Sequence, residues 1–286
     1  MPDEIQLEWA YTPADLFEEQ AELLIGGCTF VIDAGRVVAR APFEGDPAAE
    51  GVLRSFCNAR HQELEAVFLA AQALEHKTCT LSESKSPVRL CPDGTRHPFL
   101  VAQSLKLTLS LGRLDVQIVE AGGRIVDTRA ARIAKRKELA QKAATYLTDP
   151  TANAILRSYS AAVIDPRNEL VHLYEIRETL AKHFGSEKNT REALGISGAE
   201  WKTLGRLACV EPLLQGRHRG RFPGSLVPAT DEQLSEARAI ALKMIEAYLA
   251  RLEFTASGNR LKKQSTAPGS ASPIACPSSV QLPTSS

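Results

Sequence analysis

At 286 residues, 44% of them hydrophobic and 24% charged, the chain is sized for one large globular domain or two small ones. It contains no run of about 18 apolar residues, which excludes an ordinary membrane span. Six cysteines spread singly (Cys28, Cys57, Cys79, Cys91, Cys209 and Cys276) exclude the dense framework of a small secreted domain.

The formal net charge of +0 hides a division. Residues 1–127 carry 11 Lys and Arg against 19 Asp and Glu, residues 128–255 carry 20 against 15, and residues 256–286 add Arg260, Lys262 and Lys263 with no acid. Opposite charges suit docking of the two parts on each other, or leave the second free to meet a polyanion. The opening MPDEIQLEW has neither the basic nor the continuous apolar region of a secretory signal, so a soluble protein of the reducing cytoplasm is expected, with no membrane partner.

In chain order, ADLFEEQAELL (residues 14–24) reads as helical, CTFVIDAGRVVARAPF (28–43) as a hairpin around Asp33-Ala34-Gly35, and DPAAEGVLRSFCNA (46–59) as helical. From about residue 60 to 127 the text turns at short intervals. ELEAVFLAAQAL (63–74) leads to a Pro92-Asp93-Gly94 turn, Leu105, Leu107, Leu109 and Leu111 recur two apart, and Gly112 and Gly122-Gly123 supply further turns. This predicts an antiparallel sheet and an α+β domain over residues 1–127. Cys91 and His97, in CPDGTRH, form half of a metal-ligand set with no second cluster to complete it, so a hairpin loop is expected there and no metal.

At about residue 128 the character changes. TRAARIAKRKELAQKAATYL (128–147) is a basic helix, and no strand pattern appears from there to residue 254, so residues 128–255 are expected to form an all-α helical bundle. Asp149-Pro150 and Asp165-Pro166 each set a capping carboxylate before a proline suited to the first helical position. Thr230 to Gln233 reads as a capping box opening the last helix. Residues 256–286, rich in Ser, Pro, Thr and Ala, read as a disordered tail.

Two stretches of the bundle come closest to chemistry. In DPRNELVHLYEIRETLAKHFG (165–185), Leu170, Leu173, Ile176, Leu180 and Phe184 form one apolar stripe, while Asn168, His172, Thr179 and His183 lie opposite, so His172 is expected off the core. Asn168 and His172 are four apart and can cooperate, whereas Arg167 and His172 are about 140° apart on an ideal helix. The same spacing equally suits an ordinary polar helix face. In GRHRGR (216–221), Arg217, His218, Arg219 and Arg221 sit on a Gly-rich connection suited to phosphate, or to a solvated loop, or to pairing with the acidic N-terminal part.

Arg167-Asn168-x-x-x-His172 within a basic helical bundle resembles the signature of the HEPN superfamily. That resemblance covers roughly residues 130–254. It implies an RNA-directed protein of toxin–antitoxin or phage-defence type and a metal-independent endoribonuclease with Arg167, Asn168 and His172 at its centre. It implies a homodimer joined through the helical domain and needs no cofactor. The alternative it leaves open is a non-catalytic binding or dimerisation accessory. NELVHLYEIRETLAKHFG together with WKTLGRLACVEPLLQGRHRGR is also similar to bacterial proteins labelled methylamine utilisation protein J, which implies a setting in amine metabolism. No Walker, GxSxG, HExxH or GxGxxG motif is present to suggest an ordinary NTPase, hydrolase, zinc-protease or dinucleotide-binding class.

Overall fold

A computed structural model describes residues 4–43, 51–91, 93, 95–99, 117–119, 125–219 and 224–265 of the chain. The fold class is α+β, with an antiparallel sheet ahead of a helical bundle.

Strand β1 (Glu4–Thr12) alternates as a half-buried strand must: Ile5, Leu7, Trp9 and Tyr11 point into the core. With β2 (Ala21–Ile25), β3 (Cys28–Asp33), β4 (Arg36–Pro42), β5 (Thr80–Leu81), β6 (Val88–Leu90) and β7 (Arg96–Pro98) it forms one sheet, ordered β2-β3-β4-β1-β6-β7 with β5 paired to the end of β1. The expected hairpin stands in register Asp33↔Arg36. Its two loop residues, Ala34 and Gly35, have φ of 42° and 83°, the left-handed pair that a tight hairpin needs.

Two expectations for this half are corrected. ADLFEEQAELL is not a helix: Pro13 leads into a single 3-10 turn at Ala14–Leu16, and the chain then joins the sheet as β2, with Leu23 opposite Phe30. Leu23 and Ile25 are buried and Leu24 is exposed, so cross-strand burial outweighs the helical preference of Glu and Leu. ELEAVFLAAQAL is not part of the sheet but the second half of helix α1 (Val52–Glu75). Leu64, Val67, Phe68 and Ala71 recur at helical spacing with no glycine or proline between them, and all four are buried. A further antiparallel pair, β8 (Gln117–Val119) and β9 (Ile125–Asp127), carries the register Val119↔Ile125. The Leu105–Leu111 alternation, Gly112 and the Gly122-Gly123 turn lie outside the described residues.

The bundle follows as α2 (Thr128–Thr145), α3 (Pro150–Ile164), α4 (Glu169–Phe184), α5 (Glu187–Leu194), α6 (Gly198–Gly205) and α7 (Asp231–Ser265). Among the described residues from 130 to 254 there is no strand, only an isolated bridge between Leu213 and Val227. The Asp149 carboxylate caps α3 by accepting from the Ala152 amide at 2.7 Å. The Thr230 hydroxyl and the Gln233 side chain accept from each other's backbone amides at 3.3 and 2.8 Å, the expected reciprocal box. Helix α7 runs on to Ser265, past the point where composition suggests that order ends. Arg, Leu and Lys are good helix formers, and extending a helix already nucleated costs little. Residues 266–286 lie outside the described residues.

The apolar residues gather in two cores. One lies between the sheet, α1 and α2 and the other lies within the bundle. Helix α1 belongs to both: Leu64, Val67 and Phe68 face the sheet, and Ala70 and Ala73 face the bundle. Where the halves meet, the guanidinium of Arg136 contacts the carboxylates of Glu75 and Glu18, and Arg132 forks onto Glu18 as well. No described helix is long and apolar enough to cross a membrane.

Candidate functional site

The site begins where α3 hands over to α4. Pro166–Asn168 form a 3-10 turn, and α4 starts at Glu169 rather than at Pro166. Asp165 therefore departs from its expected role as the N-cap. Its carboxylate accepts from Asn168 Nδ2 at 2.6 Å, a local side-chain bond that competes with helical capping. That bond holds the Asp165 carboxyl below the usual carboxylate range.

From Glu169 onward the wheel expected from sequence is realised. Leu170, Leu173, Ile176 and Leu180 are fully buried, and Phe184 packs partly against the same core. The His172 side chain keeps 22% of its surface exposed, between two carboxylates: Nδ1 is 3.4 Å from Glu175 Oε2 and Nε2 is 3.8 Å from Asp165 Oδ2. His183, on the same outer side, is exposed and occupied elsewhere, with Nδ1 3.0 Å from the Thr151 hydroxyl.

The basic loop meets this helix edge. Arg219 Nη2 donates to Asn168 Oδ1 and, at 3.1 Å, to the Arg167 carbonyl, while its Nε donates to the Gly216 carbonyl at 3.0 Å. Arg217 turns toward the next turns of α4, donating to Glu178 Oε1 at 2.6 Å and lying 5.5 Å from the Tyr174 ring centre. Its amide donates to the Ala208 carbonyl at 2.7 Å, seating the loop on a π-helical segment, Arg206–Val210. Gly216 permits that seating, because a Cβ there would lie 3.2 Å from the carbonyl oxygens of Ala208 and Leu213. His218 is exposed, as is Arg167, whose guanidinium has no protein partner among the described residues. Arg221 lies outside the described residues.

Thus Arg167, Asn168, His172 and Arg219 share one edge, with Arg217 one step along it. Arg167 offers an exposed guanidinium and His172 a partly exposed imidazole, groups that can respectively hold an anion and exchange a proton. The described residues hold no group of three His, Cys, Asp or Glu side chains placed for a metal ion. Cys91 directly follows β6 and His97 lies within β7, paired with Arg89, and the turn between them is tied by Asp93 accepting from the Thr95 amide at 2.8 Å.

Sequence reasoning misses the group directly beneath. Glu169, 1% exposed, is gripped by Arg238 of α7 through Nε and, at 2.9 Å, Nη2. His76, just past the end of α1, approaches the same carboxylate with Nε2 at 3.5 Å, and its buried Nδ1 has no partner among the described residues. Burial holds the His76 imidazole below its ordinary value. One signal was available. Glu169, Leu173, Ile176 and Leu180 share a helix face, so Glu169 is a carboxylate on an apolar stripe and needs a cation. Which cation is not readable, since Arg238 lies far along the chain. Comparison with family models, with curated proteins and with solved structures finds no match to the chain, so the geometry of this edge carries the functional reading.

Proposed function

We propose that residues 128–255 carry an RNA-directed, HEPN-like module whose α4 edge engages the phosphodiester backbone and cleaves it without a metal ion. The supporting observation is the contact of Arg219 with Asn168 and with the Arg167 carbonyl, which joins the basic loop to the Arg-Asn-x-x-x-His stretch. In this reading His172 accepts the proton of an RNA 2′-hydroxyl as its oxygen attacks phosphorus, and the bond to the 5′-oxygen breaks. The exposed Arg167 guanidinium stabilises charge on the phosphoryl oxygens, and Asn168 fixes the start of the helix that presents both. A proton must also reach the departing 5′-oxygen. One His172 cannot give and take in the same step, so a homodimer joined through the helical part supplies the second imidazole. The setting is the cytoplasm, in a toxin–antitoxin or phage-defence role.

The test is incubation of the purified protein with mixed RNA in EDTA. Cleavage is expected from the wild type and should be lost in Arg167→Ala and in His172→Ala, with the melting temperature of both variants retained. Equal cleavage by all three proteins would return the edge to an ordinary polar helix face.

A second reading is favoured by one observation. Glu175, Asp165 and Glu178 already face His172 and Arg217, and a phosphate would have to compete with them. On that reading the module binds or dimerises without catalysis, as an accessory in amine metabolism. RNA retention that weakens steeply with salt, without cleavage, would favour it over the nuclease.

A further inference from the structure

Where α1 ends, His76 holds φ at 48°, in the left-handed region that glycine or asparagine enters more readily. Its amide closes the helix by donating to the Gln72 carbonyl at 2.8 Å. That bond uses the backbone alone and leaves the presence of an imidazole unexplained.

The ring itself meets α3 and α4. Nε2 lies 3.5 Å from Glu169 Oε1 at the start of α4, and the ring stands edge-on to that of Tyr159 on α3, with 5.8 Å between centres. Arg238 of α7 already holds the same carboxylate. Glu169 and Arg238 are the charged groups that act on the imidazole, and burial keeps the Tyr159 hydroxyl neutral. The chain neighbours of His76 are engaged elsewhere, Glu75 with Arg136 and Lys77 with Asp15.

Glu169 draws the proton of the neutral ring to Nε2, and Nδ1 is a buried atom with no partner among the described residues. A second proton has to go on Nδ1. It creates a buried N–H with no protein acceptor and sets a second cation beside Arg238 on a carboxylate already taken. The side chain is 24% exposed, so a charged ring has a way out to water.

We propose that His76 is an acid-sensitive latch: neutral, it closes the end of α1 onto the start of α4, and protonated it lets go. Because α1 lines both cores, release at this point weakens the whole fold. The latch is independent of the RNA reading, because it concerns how α4 is held and not what its outer edge meets. Burial, and after it Arg238, lowers the imidazole in the fold from its ordinary 6.5. Its contribution is therefore complete above about pH 6.5 and is lost as pH falls below that, where the unfolded chain takes the proton before the folded one does.

Urea unfolding of the full chain across this range, beside His76→Asn, tests the latch. Asparagine keeps the left-handed turn and carries no titrating proton. Between about pH 7 and about pH 5 the folding constant of the wild type should fall several-fold more than that of the variant, with about tenfold per pH unit the ceiling for one proton. Nitrogen NMR of the wild type should show the Nε2–H tautomer of His76 at neutral pH, titrating below 6.5. Parallel pH profiles for the two proteins, or a His76 imidazole that titrates at or above 6.5, would each overturn the proposal. The second measurement decides on the wild type alone, whether or not the variant folds.

Discussion

Arg136 and Arg219 each gather polar partners from a distant part of the chain, but in opposite surroundings. Arg136 is 3% exposed and joins Glu75 and Glu18 where α1, α2 and the approach to β2 meet. Arg219 ties a surface loop to the start of α4, the helix that carries the exposed Arg167 at its entry and the partly exposed His172 on its first turn. At the junction the Arg136 and Glu75 side chains are almost wholly buried, so water replaces a lost partner poorly and the charges serve the fold. At the α4 edge the ion pairs of His172 and Arg217 are open to water, so they add little stability, and the exposed Arg167 guanidinium is left to meet a ligand.

The comparison breaks most readily at Arg136. Arg136→Ala removes the buried guanidinium that the Glu75 and Glu18 carboxylates share, and urea unfolding should show a loss of roughly 3–5 kcal/mol. A loss near zero would mean that the junction is wetter than its burial indicates. The same cluster gives a pH signature. Hydrogen bonds from Arg132 and Arg136 hold Glu18 at about 2, against an ordinary value of 4.5. A depressed carboxyl stabilises the fold fully above its unfolded value and loses that contribution as pH falls toward the folded one. Stability should therefore decline between about pH 4.5 and about pH 2. Glu18→Gln should be less stable at neutral pH and should flatten this part of the profile.

Next in size is Glu169→Ala. It removes a charge-assisted pair whose other member, Arg238, keeps some access to water, and chemical denaturation should register a loss of about 1.5–3 kcal/mol. The smallest effect belongs to Arg167→Ala, which should fall within about 0.5 kcal/mol of the wild type. A larger loss there would show that the open guanidinium supports the fold after all and would blur the distinction between the two regions.

What the sequence makes legible is what depends on near neighbours. The Thr230–Gln233 box, the Ala34-Gly35 loop and the placing of His172 off the core follow from spacings within a turn or two of helix or one hairpin. The misreadings come from competition. Residues 63–74 hold an apolar pattern that a short view assigns to a strand, and only their continuation from Val52 reveals the helix. Residues 21–25 favour helix locally and are claimed by β3. Asp165 has the form of a cap, but Asn168 takes its carboxylate first. The Glu169–Arg238 grip and the seating of Gly216 against Ala208 join residues far apart in sequence, and no periodicity encodes such pairs.

Helix α1 gives the protein two cores but one fate. Because Leu64, Val67 and Phe68 close the first core while Ala70 and Ala73 close the second, drawing α1 out of either exposes apolar surface in both. Opening on one side thus destabilises the other by the same displacement, and the cores share a single cooperative unfolding event rather than melting in turn. Amide protons in the second half of α1 should then exchange with solvent only when the whole molecule opens, which makes that stretch a slow clock for the entire fold.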